Sequence, residues 1–198
     1  MSGGMGRNGK PPAGRIVRGL LLLATFRAAG LAEFAATRQA FLNSFAPLIA
    51  FPLVGGLLML GSGGGLTALG DLLATAVALL APPVLSHAFA VAWKREALWL
   101  RYAVAFNWCQ WAVPLAAIPV LVGVGVLIQG GMPTGTAVPL AMLLLAGYGL
   151  ALQWFLARRG LDLPRWRATL LVLAMNVATG LLVIGPRLLL ASLIAGGG

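Results

Sequence analysis

Five long apolar runs, at residues 41–60, 66–93, 102–128, 136–156 and 169–184, are joined by short connections and leave this chain few ways to fold. A helix needs about 20 mostly apolar residues to cross a hydrocarbon layer about 30 Å thick, and each run approaches or exceeds that length. Hydrocarbon offers no partner to a bare peptide group, so such runs cross as helices that satisfy their own backbone. The expected fold is therefore an all-α integral membrane protein, a five-transmembrane-helix bundle over residues 41–194. Composition agrees. Of 198 residues, 60% are hydrophobic and 9% charged, whereas a soluble domain carries about a quarter charged residues. An ordinary soluble enzyme is thereby excluded.

The basic residues report orientation. The chain holds 14 Lys and Arg against 4 Asp and Glu, a net charge of +10. The first 40 residues hold six of the 14, the next connections hold none, three, none and four, and the C-terminal end holds one, Arg187. This alternation requires an odd number of crossings. By the positive-inside rule it places the N-terminus in the cytoplasm and the C-terminus outside, in the periplasm of a bacterial inner membrane. Bacterial origin is read from usage, with arginine preferred to lysine and Ala, Leu and Gly abundant. Trp93, Trp99, Trp108, Trp111, Trp154 and Trp166 all map to the same side, as an interfacial belt would. The basic charge then meets anionic headgroups of the bilayer rather than nucleic acid, for which no motif is present. Arg15, Arg18, Arg95, Arg158, Arg159 and Arg167 are the expected headgroup contacts.

Before the first span, residues 1–14 read as a disordered basic tail. Residues 15–40 read as an interfacial amphipathic segment, because Ile16, Leu20, Leu23, Leu31 and Phe34 share a helical face from which Arg15, Arg18 and Glu33 fall away. The segment is too short to add a sixth crossing. Two short pieces with a break near Gly30 are expected, and residues 195–198 form a tail.

Polar side chains inside hydrocarbon are costly, and each calls for an account. At 1.5 Å per residue, His87, Asn107, Gln110 and Asn176 fall about 8–12 Å in from the basic side, with Asn43, Ser44 and Gln153 shallower. Two readings of this layer stay open. It is either a hydrated cavity open to the cytoplasm, with His87 as its titrating group, or a set of interhelical hydrogen bonds. Asn107 and Gln110, three residues apart, share a face and can both point inward. Asp71 lies about 7 Å from the outer end of its span, where an exposed carboxylate or a pair with Arg187 is expected. Gly55, Gly56, Gly147 and Gly149 are candidate points of close helix approach.

The inventory for chemistry is thin. One histidine, one cysteine (Cys109) and four acids exclude a multi-histidine metal site, and no nucleophile elbow or phosphate loop occurs. No catalytic residue, cofactor or metal is expected.

Three segments taken together carry a resemblance: Phe41-Leu42-Asn43-Ser44-Phe45, Ala105-Phe106-Asn107-Trp108-Cys109-Gln110, and Gln153-Trp154-Phe155 ahead of Arg158. They resemble small alphaproteobacterial inner-membrane proteins, which in turn look like bacterial relatives of the Ypt-interacting-protein (YIP) family. The likeness covers residues 25–185 and implies a five-span bundle with a cytoplasmic N-terminus. An Asp-Leu-Tyr-Gly-Pro element associated with the eukaryotic members is missing, so their GTPase-linked role is not implied, and no catalytic residue carries over. The expected function is that of a non-enzymatic, YIP-like interaction or membrane-organising component, acting through homo-oligomers or a membrane-protein partner. The alternative is a small transporter or an accessory subunit of a transport complex that uses the polar layer. An intramembrane enzyme acting on lipid is the weakest of the three.

Overall fold

A computed structural model describes residues 13–63 and 65–196, and all of their regular structure is helical. In chain order the elements are α1 (Ala13–Ala24), a 3-10 segment (Ala28–Glu33), α2 (Arg38–Gly61), α3 (Gly65–Ala92), α4 (Glu96–Cys109), α5 (Ala112–Gln129), α6 (Thr134–Gly160) and α7 (Arg165–Gly196). Among the described residues, five helical stretches are long and apolar enough to cross a membrane: α2, α3, α4 joined to α5, α6 and α7. The chain is thus a multi-pass membrane protein by length and composition. The expected tails at 1–14 and 195–198 fall mostly outside the described residues, although Ala13 and Gly14 already belong to α1 and α7 continues to Gly196.

Neighbouring helices pack in the order α2, α3, α7, α6, α5, and α4 runs against α2, α3 and α6 at one end of this row. That end carries the basic turns. There the bundle has a continuous core: Tyr102 through Asn107 of α4 are all buried, and against them pack Ala90 of α3, Leu152, Leu156 and Ala157 of α6, and Leu171, Val172 and Met175 of α7. Helix α4 is enclosed from Tyr102 to Asn107, whereas Glu96, Ala97 and Arg101 in its first two turns are exposed. The opposite end is open. Large apolar residues there are more than half exposed, among them Phe51, Leu58 and Met59 of α2 and Ile118, Leu121 and Val122 of α5.

The third apolar run proves to be two helices. Pro114 stands in the first turn of α5 and has no N–H to return to the carbonyl of Gln110, where its ring would also crowd the preceding turn. The ladder therefore lapses at Gln110 and Trp111. Helix α4 ends inside the bundle, and the chain leaves on α5, which lies at the edge against α6.

The N-terminal segment also departs from expectation. Its break falls at Thr25–Arg27 rather than near Gly30. The amide of Arg27 donates to the carbonyl of Leu22 and that of Phe26 to Leu23 (both 2.8 Å), closing α1 with a Schellman turn. Phe26 holds the left-handed conformation there, φ 58°, which glycine would normally take and which costs a bulky residue about 1–2 kcal/mol. Its ring stands edge-on to Tyr148 and Phe155 of α6, at 6.0 and 5.6 Å, and these contacts offset the strain. Gly30 serves as a close contact instead. A methyl group on it would lie 2.7 Å from the carbonyl oxygen of Gly19, and one on Gly19 would lie 2.8 Å from the ring of Phe34. The segment folds back on itself and buries Leu20, Leu23 and Phe34. Tyr148 Oη donates to the carbonyl of Ala24 (3.0 Å), so α1 reaches a level about 18 Å along α6 from Gly160.

Of the four glycines expected at helix crossings, Gly56 meets Leu72 of α3 and Gly149 meets Val113 of α5, whereas nothing approaches Gly55 or Gly147.

Candidate functional site

Polar side chains of the basic end are organised around hydroxyl groups. In α2, Ser44 Oγ donates to the carbonyl of Phe41 (2.6 Å) and accepts from Asn107 Nδ2 of α4 (2.9 Å). In α3, Ser86 Oγ donates to the carbonyl of Pro83 and accepts from Trp99 Nε1 of α4, both at 3.1 Å. In α7, Thr169 Oγ1 donates to the carbonyl of Arg165 and accepts from Trp154 Nε1 of α6, again at 3.1 Å. Each hydroxyl saturates a carbonyl one turn back in its own helix and offers a lone pair to the next helix. A fourth clip joins α6 to α7: Asn176 Nδ2 donates to Gln153 Oε1 and to the carbonyl of Val172, both at 2.8 Å.

The expected polar layer is therefore divided. Gln153 and Asn176 are brought together. Asn107 is buried against Ser44, and Gln110 is half-buried at the break between α4 and α5. His87 stands apart from all of them. Ser86 turns into the bundle, and the next residue, about 100° further round α3, is exposed. The imidazole of His87 lies against the ring of Trp99, with centroids 4.6 Å apart. A cavity organised around His87, Asn107 and Gln110 is not what this arrangement builds. Ser86 and Thr169 carry no signal of their own in the sequence; the indoles of Trp99 and Trp154, each needing an acceptor inside an apolar run, are the clue to them.

Five of the six expected headgroup arginines also find protein partners. Arg15 and Arg18 both approach Glu33 of the 3-10 segment, at 3.1 and 3.7 Å, and tie α1 to its return. Arg95 reaches Asp162 at 3.4 Å, joining the α3–α4 turn to the α6–α7 turn. Both turns contain a left-handed non-glycine residue, Lys94 at φ 58° and Asp162 at φ 51°. Arg158 lies over Trp154, while Arg167 lies between Trp93 and Trp166, its guanidinium carbon 5.6 and 5.0 Å from their centroids. Arg159 is exposed. Arg187, the suggested partner of Asp71, lies outside the residues whose side chains are described.

No group of three or more metal-ligating side chains gathers among the described residues. Compared with known proteins, the sequence matches no family model, and no curated protein or solved structure is similar to it.

Proposed function

We propose that this chain is a non-enzymatic interaction or membrane-organising component of a bacterial inner membrane, with its basic end in the cytoplasm, acting through further copies of itself or a partner membrane protein. One observation carries the reading: polar side chains of the basic end are committed to clips between helices, while the edge helices α2 and α5 present broad apolar faces at the other end. Without a hydrophobic drive between helices in lipid, such faces associate where small residues let two backbones approach, and nothing lies within 4 Å of a methyl group placed on Gly123 or Gly125 of α5. In α2 that packing is incomplete, since Pro52 and Gly56 lie toward Leu72 of α3 while Phe51, Val54, Leu57, Leu58 and Met59 are exposed. The resemblance to YIP-type membrane proteins agrees with such a role. A carrier built on the polar layer is less favoured, because His87 stands outside it.

Photocrosslinking residues placed at Phe51 and Leu58 of α2 and at Leu121 of α5, in intact membranes, test the proposal. Protein adducts of one defined mass at these positions, and none from Leu173 on the exposed face of α7, are the expected result. Lipid adducts alone at every position would overturn it.

A further inference from the structure

An open cleft of about 440 Å³ lies at the basic end, where α6 turns into α7. Arg158 and Arg159 reach it from the last turn of α6, Arg165 from the first turn of α7, and Leu31 and Leu163 give it an apolar side. Three arginines line it against a single acid, Asp162, which Arg95 already approaches at 3.4 Å, and the guanidinium carbon of Arg158 also lies 5.5 Å from the ring centroid of Trp154. None of Arg158, Arg159 and Arg165 has a carboxylate within 4.0 Å among the described residues. The lining thus holds a formal surplus of +2, three arginines less one aspartate.

The turn holding these groups is constrained. Asp162 adopts the left-handed conformation and the amide of Leu163 donates to the carbonyl of Arg158 at 3.0 Å, so the two helix ends present their arginines to one space. Arg158 and Arg159 suit the negative end of the α6 dipole. Arg165 does not suit its place, since the N-terminus of α7 is the positive end and repels a cation unless an anion sits beside it. The surroundings identify the kind of anion. Trp166 is 61% exposed next to the cleft, at the level where indoles mark the membrane interface. Below it Leu170, Leu173 and Val177 continue one exposed stripe along α7, about 16 Å from Trp166 to Val177, which is close to the half-thickness of the hydrocarbon layer.

We infer that this cleft is a binding site for a phospholipid carrying two phosphates, one held by Arg158 and Arg159 and the other by Arg165, with acyl chains lying along the exposed stripe of α7. This inference does not depend on the interaction role proposed above. Basic pockets between helix ends are a known means of retaining such headgroups.

The test is native mass spectrometry and lipid-dependent thermal shift on the full chain in mild detergent. The probes are tetraoleoyl cardiolipin, dioleoyl phosphatidylglycerol at matched charge, dioleoyl phosphatidylcholine and sodium pyrophosphate. Cardiolipin is expected to bind most tightly. Arg165→Gln, at an exposed side chain, should weaken it about fivefold, and Arg158→Gln with Arg159→Gln and Arg165→Gln together by about a hundredfold. Arg101→Gln, outside the cleft, should change it less than about twofold. If the triple variant fails to fold, Arg165→Gln alone decides. Equal affinity for phosphatidylglycerol at matched charge, equal stabilisation by pyrophosphate, or full binding by Arg165→Gln would each overturn the inference.

Discussion

Most of α4 and nearly all of α5 come from one apolar run, residues 102–128, yet they meet opposite surroundings. Tyr102 to Asn107 in α4 are buried without a gap, whereas Leu121 and Val122 in α5 are more than 60% exposed. Hydropathy runs the wrong way to explain this, since the exposed α5 is the more apolar of the two and the buried α4 carries Glu96, Arg101 and Asn107. What separates them is the means to hold a neighbour. Helix α4 carries Trp99 and Asn107, which reach hydroxyl groups on α3 and α2, and Tyr102, whose ring packs beneath Gly160 and whose hydroxyl points to the sulfur of Met175 at 3.9 Å. Helix α5 has no such side chain between Ala112 and Ile128. In lipid, where apolar contact alone gives little preference for protein over solvent, those few groups decide which half of a crossing is enclosed.

The sharpest way to break this contrast is to remove packing from both halves. Tyr102→Ala should cost about 3–5 kcal/mol of stability, as large-to-small changes in a closed core do. Leu121→Ala, by contrast, should stay within about 0.5 kcal/mol. Reversible denaturation in detergent micelles measures both, and equal losses would mean that α5 is as enclosed as α4. A smaller effect is expected at the N-terminal fold-back. Gly30→Ala drives a methyl group to 2.7 Å from the carbonyl oxygen of Gly19, a backbone clash expected to cost about 1–3 kcal/mol. The readout is tryptic cleavage at Arg27, which should quicken as the segment leaves α6; unchanged cleavage would show that the two arms of the fold-back are not held by this contact.

The five helices long and apolar enough to cross a membrane were legible in the sequence because a helix of that length in lipid leaves an apolar run that nothing else requires. The split at Gln110 was not, since a proline in the first turn of a new helix and a proline tolerated inside an old one look alike in a string. Pro82 and Pro83, within an unbroken α3, show the second case. The fold-back was half legible. Its apolar face, including Leu20, Leu23 and Phe34, appears in the periodicity, but its turn sits on Phe26, where a left-handed residue is least expected and only contacts with Tyr148 and Phe155 compensate. The polar layer was legible as a set of residues and not as a set of pairs. Depth along a helix follows from residue number, whereas the direction of a side chain depends on a rotation that apolar runs leave unmarked. Ser86 and His87, adjacent in sequence, differ in burial for that reason, the first turned into the bundle and the second exposed, although both touch Trp99.

The clips themselves rank next. Asn107 and Ser44 are buried together at 2.9 Å, so a double-mutant cycle of Asn107→Ala and Ser44→Ala should return a coupling of about 0.6 kcal/mol, and at most about 1.7 kcal/mol. A coupling indistinguishable from zero would remove the hydrogen bond as the reason α4 stays enclosed and leave ring packing alone.

The smallest expected effect is at His87, where the contrast between inward and outward faces is tested within one turn of α3. The imidazole touches the ring of Trp99 from outside the bundle, and edge-on aromatic contacts contribute about 0.5–1.5 kcal/mol at most. His87→Leu keeps an apolar group in that place, so stability should fall by less than about 1 kcal/mol. Ser86→Ala should cost about 1–3 kcal/mol, because it takes the acceptor from the part-buried indole N–H of Trp99. The order of the two losses is the measurement. If His87→Leu proved the more damaging, the imidazole would have to face the packed interior, and the separation of Ser86 from its neighbour, with the reading of the polar groups as clips between helices, would fail together.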